Sequence, residues 1–126
     1  MWAHYPIEAD GSSINTGRLI GWIDDYFDSS FVYSRLLEKF VYMPEDFVSP
    51  AGSWFFIPGE SAPVSGDGLW AGYVVDAHGW ADTGDLLGWV WVGPQGYIFS
   101  YSLGKFVYLP ESLVSPGGTW AYTDGD

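Results

Sequence analysis

Large apolar side chains recur at every second position in short runs along this chain, and turn residues separate the runs. The clearest case is Tyr97-Ile98-Phe99-Ser100-Tyr101, followed after Leu103-Gly104 by Lys105-Phe106-Val107-Tyr108-Leu109. Successive side chains of a strand point to opposite faces, so this pattern predicts a hairpin. Tyr97, Phe99 and Tyr101 should share one face, with Ile98 and Ser100 on the other. Phe31-Val32-Tyr33-Ser34 and Lys39-Phe40-Val41-Tyr42 repeat the arrangement. Glu38 stands where Gly104 stands, so the first turn is expected to differ in shape: the positive φ open to glycine costs another residue about 1 kcal/mol.

The repetition extends well beyond the hairpins. From Lys39-Phe40-Val41-Tyr42 to Lys105-Phe106-Val107-Tyr108 the spacing is 66 residues, and it holds through Pro44 and Pro110, Glu45 and Glu111, and Trp54 and Trp120. Upstream, Thr16-Gly17 through Gly21-Trp22 matches Thr83-Gly84 through Gly88-Trp89, and Trp2-Ala3-His4-Tyr5 matches Trp70-Ala71-Gly72-Tyr73. The chain reads as a tandem duplication, with a first unit at 1–58, a linker at 59–68 and a second unit at 69–126. Each unit holds about five short strands. Proline ends the return strand and opens one short helical turn at Pro44-Glu45 and Pro110-Glu111, and Ser-Pro-x-Gly then makes a tight turn. Gly21 and Gly88, each before a tryptophan, are expected to lie beneath a neighbouring ring. Units near 60 residues are marginal alone, so the two should form one body. The expected fold is all-β and mostly antiparallel, with two homologous units packed on a shared aromatic core.

Composition narrows the partners. Hydrophobic content of 48% and aromatic content of 20% exclude disorder, while 17 glycines and 8 prolines suit many short strands. Sixteen acidic against four basic residues give a net charge of −12, which repels phosphate backbones and anionic lipid. Nucleic acid is therefore not an expected partner. The lack of cysteine removes disulfides and thiolate chemistry, and no apolar run suggests membrane insertion. The N-terminus lacks a basic region followed by an apolar one; if the protein is exported, its signal is expected outside this piece, and Met1 directly before a strand-like segment is read as the start of an excised piece.

The stretch LGWVWVGPQGYIFSYSLGKFVYLPESLVSPGGTWAY resembles the aromatic-rich repeats near the C-termini of many secreted bacterial proteins of Verrucomicrobia and relatives, of the type "GW...YiYSys.GkWiYLPE...gW.Y". The resemblance rests on Gly88-Trp89, Tyr97 to Ser102, Lys105 to Glu111 and Trp120, and it covers both units. Phe40 and Phe106 depart from it, standing where the repeats usually carry tryptophan. A looser similarity to choline-binding and other cell-wall-binding repeats is weakened by their much shorter period. The resemblance implies an extracellular or cell-envelope location and an accessory role.

Tyrosine and tryptophan rings stack on sugar faces and on cations, and they also fill cores. Trp22, Trp89, Trp54, Trp120, Phe40 and Phe106 recur in both units and are assigned to the core. Trp80 and Trp91 lack aromatic counterparts and, with Tyr101, are the ligand-binding candidates. Asp24, Asp25, Asp28, Asp82 and Asp85 are weak calcium candidates at strand ends, without EF-hand spacing. Glu45 and Glu111 are the acids a glycosidase would need, but each follows a proline at a helical turn that favours negative charge. His78 and Asp76 lack a GxSxG nucleophile elbow to complete a triad. No cofactor motif is present.

Repeated core and turn residues beside diverged polar loops describe a scaffold, not an enzyme. The expected function is a non-catalytic structural or adhesive module of a bacterial envelope protein, forming homo-oligomers or filaments, or meeting envelope components, through strand edges and aromatic patches. A carbohydrate-binding module for cell-surface polysaccharide is the alternative, and a hydrolase using acidic residues comes third.

Overall fold

The structure is a computed structural model and describes residues 2–25, 30–59, 69–71, 73–115 and 117–125. All of the expected linker but Gly59 lies outside these residues. In chain order the strands are β1 (Ser13–Asn15), β2 (Trp22–Asp24), β3 (Phe31–Ser34), β4 (Lys39–Tyr42), β5 (Gly52–Pro58), β6 (Leu69–Trp70), β7 (Tyr73–Val74), β8 (Trp80–Asp82), β9 (Trp89–Val92), β10 (Tyr97–Ser100), β11 (Lys105–Tyr108), β12 (Val114–Ser115) and β13 (Gly118–Asp124). No α-helix occurs among the described residues. Single 3-10 turns at Glu45–Phe47 and Glu111–Leu113 follow the two prolines, where the sequence predicted helical turns.

One antiparallel sheet, which does not close on itself, holds all the strands except the β6–β7 pair. Its order is β1-β2-β3-β4-β5-β13-β11-β10-β9-β8, with β12 beside β13. Read outward from the central β5–β13 pair, both flanks run through a hairpin and then a further pair. The register shares this symmetry: Phe55 opposes Ala121, Trp54 opposes Tyr122, and Phe56 opposes Trp120. The spacing of 66 that matches the units also exchanges those last two pairs, so an approximate two-fold axis passes between Phe55 and Ala121.

One face of the sheet is the core, and it is mainly aliphatic. Ile14, Ile23, Val32, Val41, Phe55 and Ile57 from the first half meet Val90, Ile98, Val107 and Ala121 from the second, all buried. The turns at 16–21 and 83–88 press Leu19, Ile20, Leu86 and Leu87 onto this face. Buried Thr16 and Thr83 hold those turns in shape: each hydroxyl donates to the carbonyl of Gly21 or Gly88 and accepts the N–H of Ile20 or Leu87. Among the described residues, Trp2, Tyr5, Phe55, Trp70 and Tyr73 are the rings that enter the core.

The shared aromatic core therefore needs correction. Trp22, Phe40, Trp54, Trp89 and Phe106 are 37–51% exposed, and Trp120 is half-buried, all on the opposite face. The alternation was read properly, but both of its phases are apolar, so hydrophobicity alone does not say which phase is buried. A single sheet covered by two short turns leaves a thin interior, which aliphatic side chains fill at crystal-like density. The six repeated rings stay outside, whereas Trp2, Tyr5, Trp70 and Tyr73 are buried beside the aliphatic side chains.

Two lysines join the halves across this core. Lys39 donates Nζ to the carbonyls of Pro58 and, at 2.8 Å, of Asp85 in the other half. Lys105 makes the reciprocal contacts with the carbonyls of Asp124 (2.8 Å) and Arg18 (2.6 Å). Each lysine thus grips the turn that the opposite half of the chain lays over the core.

Two local expectations also change. Gly21 and Gly88 lie in turns, at φ +76° and +72°, with Leu36 and Ser102 as their close neighbours instead of rings. The first hairpin does not adopt a different turn: Glu38 takes φ +57°, close to the +69° of Gly104. Glu38 bears the left-handed strain, so Glu38→Gly is expected to raise the unfolding free energy by about 1 kcal/mol, read by urea titration.

Candidate functional site

The outward face of the sheet is an array of rings. Phe31 and Tyr42 are 5.3 Å apart between centroids, Tyr42 and Trp120 6.1 Å, and Phe56 and Trp120 5.5 Å. Tyr97 and Tyr108 (5.3 Å) and Trp54 and Tyr108 (6.1 Å) continue the array across the second half. Tyr33 with Phe40 and Phe99 with Phe106, both at 5.2 Å, form a parallel row. These contacts are edge-to-face, the arrangement that ring quadrupoles prefer, so the array is locked but not coplanar. On the two-fold axis, Phe47, Trp54, Leu113 and Trp120 line an apolar groove of about 480 Å³.

The three ligand-binding candidates sit together at one end of this face. Trp80 and Trp91 are directly opposed across β8 and β9, and Trp80 lies 6.5 Å from both Phe99 and Tyr101. Tyr101 is 66% exposed, whereas Trp80 and Trp91 are half-buried. Trp91 Nε1 donates to the His78 carbonyl at 3.0 Å, which pins that ring over Gly79.

Matched registers place Ser13, Asp24 and Arg35 of the first half where Trp80, Trp91 and Tyr101 stand in the second. There Arg35 grips both oxygens of Asp24, at 2.9 and 2.7 Å, and donates to Ser13 Oγ at 2.8 Å. Its guanidinium lies 5.5 Å from the Trp22 ring centroid. This charged counterpart was not recognised from sequence, because Ser13, Asp24 and Arg35 lie in three different segments.

The calcium candidates do not converge. Asp24 is paired with Arg35, and Asp25 is buried; Asp82 accepts the Gly84 N–H, and Asp85 is exposed. Asp28 lies outside the described residues. Among the described residues no group of three His, Asp or Glu side chains is placed to hold a metal. The repeated glutamates brace turns: Glu45 accepts the Ala3 N–H at 2.6 Å and Glu111 the Ala71 N–H at 2.7 Å, with both alanines at φ +51°. Asp76 accepts the N–H groups of His78 and Trp80, as Asp10 does those of Ser12 and Ser13, so loops that looked unrelated in sequence share a carboxylate cap.

Such contacts lower carboxylate pKa values. Hydrogen bonds from the Ser13 hydroxyl and from the Ser13 and Ser12 N–H groups bring Asp10 down to about 2. Arg35 lowers Asp24, the Trp80 N–H leads the lowering of Asp76, and Lys105 followed by Arg18 lowers Asp124. A carboxylate whose folded pKa lies below its unfolded value contributes stability above the unfolded value, and loses it as pH falls through the folded one. Urea stability is therefore expected to be flat from neutral pH to about 4 and to drop between about 4 and 2. Arg35→Ala should make that drop shallower.

Compared with protein-family models, curated proteins and solved structures, the chain matches none.

Proposed function

We propose that the chain is a non-catalytic adhesive module whose aromatic face joins it to a second copy of itself. The size of that face carries the reading. Nine of its rings, from Trp22 to Phe106, are each at least 37% exposed. At roughly 150–250 Å² per ring, that is about 600–1,000 Å² of contiguous aromatic surface. Monomers rarely expose apolar patches beyond about 300–600 Å², and a stable interface takes about 800 Å² from each partner. The Arg35–Asp24 pair and Asp82 stand at the ends of the face, so an apolar centre has a polar rim, as interfaces do.

The sheet edges support association less well. β1 and β8 are three residues long, and the bridges Ile7–Ile14 and Val75–Ala81 partly cover them. An envelope setting, as the repeat resemblance implies, would give such a module a use in holding copies together.

Sedimentation velocity over a wide concentration range tests the reading. A monomer–dimer equilibrium is expected, weakened by Phe47→Ser with Leu113→Ser in the central groove. Two copies at −12 repel each other, so added salt should strengthen the dimer. The exposure of Tyr101 favours glycan stacking as the second reading. A protein that stays monomeric at every concentration and binds a defined polysaccharide would replace the first reading with that one.

A further inference from the structure

The two ends of the aromatic face differ in charge at matched positions. At the first end the Arg35 N–H donates to the Trp22 carbonyl, and its guanidinium folds back over the Trp22 ring. At the other end Trp89 takes the place of Trp22, and the N–H on its carbonyl belongs to Tyr101. Asn15 opposite Trp22 becomes Asp82 opposite Trp89, and Arg18 becomes Asp85. The second end has thus lost the guanidinium of Arg35, and with Trp91 in place of Asp24 the carboxylate beside its indole is Asp82. Its indole remains, 48% exposed, and among the described residues no cation lies over it.

We propose that Trp89, flanked by Asp82 and Tyr101, receives the guanidinium of an arginine on a partner polypeptide. The first end shows how this face binds such a group: an indole beneath it and a carboxylate beside it. A guanidinium is planar and weakly hydrated, so it stacks on a ring while its edge reaches a carboxylate; an ammonium does this less well. Asp82 is exposed, with its Oδ1 on the Gly84 N–H. All four cations of this chain are engaged: Arg18 with Asp124, Arg35 with Asp24, and Lys39 and Lys105 with carbonyls of both units. The arginine therefore comes from a different protein, and a net charge of −12 attracts a basic one. The seat lies at the β8–β9 end, away from the central groove.

The test is titration with tetra-arginine amide and, separately, tetralysine amide, followed by indole N–H resonances at physiological salt. Saturable binding of the arginine peptide is expected, with affinity at least about tenfold above that of the lysine peptide. Asp82→Asn should weaken it about tenfold, and so should Tyr101→Arg, which supplies a guanidinium from within as Arg35 does. Asp46→Asn, which removes an exposed charge far from the seat, should leave it unchanged. Equal affinity for the two peptides, equal losses from Asp82→Asn and Asp46→Asn, or no saturable binding would each overturn the proposal.

Discussion

Phe55→Ala is expected to lower the unfolding free energy by about 3–5 kcal/mol, a large share of the roughly 5–15 kcal/mol that holds an ordinary domain folded. Phe55 is fully buried and faces Ala121 at the approximate two-fold axis, so the void would open where both halves of the core meet. Little nearby can collapse into it, because the opposing side chain is already a methyl group. The loss should appear as one cooperative transition, since the lysines and turns of each half grip the other. Trp54→Ala, one residue earlier and larger in volume, should cost less, about 2–3 kcal/mol, because Trp54 is 40% exposed on the opposite face. A larger cost for Trp54→Ala than for Phe55→Ala would mean that the faces have been assigned the wrong way round. Urea titrations of the two variants settle the comparison.

That contrast marks what could be read from the residues. The inner strands, the hairpins and the 3-10 turns after proline follow from period-two alternation and from proline and glycine chemistry and were legible. The edge strands β1 and β8 were not; among the described residues the strand-like Trp2–Tyr5 holds a single bridge, and the second half has eight strands where about five were expected. The buried face was not legible either. In most half-exposed sheets polar residues mark the solvent side, whereas here Val90 alternates with Trp89 and Trp91, and Ile98 with Tyr97 and Phe99. Both phases are apolar, and only the thin space beneath one sheet decides between them.

Trp80, Trp91 and Tyr101 lie together in the structure, and Trp80 and Trp91 stood out in sequence as aromatics without a counterpart in the other unit. Trp89, the ring proposed to seat an arginine, was assigned to the core for the opposite reason. Its repetition suggested core, while the feature that distinguishes it from Trp22 is the guanidinium at Arg35, brought over the ring by pairing between β2 and β3. The purpose of Glu45 and Glu111 was equally hidden: each reaches an N–H about 40 residues away in sequence.

Gly118→Ala is expected to be the most damaging single-methyl change, at about 3 kcal/mol or more. Gly118 has φ +141°, and a Cβ there would lie 2.3 Å from the Ile57 carbonyl oxygen and 2.8 Å from Phe56 Cζ. The obstacle is the backbone of the neighbouring central strand, which cannot rotate aside as a side-chain tip can. Gly52, at φ +148° with the Thr123 carbonyl at 2.3 Å, repeats the close approach at the other end of the same pair. Relief would require β5 and β13 to separate, which disturbs the strand pair that carries the two-fold axis. Gly117→Ala is the control: it adds the same methyl one residue earlier, where nothing lies within 4 Å, and should change stability by no more than about 0.5 kcal/mol. Comparable losses at 117 and 118 would show that chain stiffness governs this turn. A loss confined to 118 would show that the halves meet through a contact only an unsubstituted Cα permits.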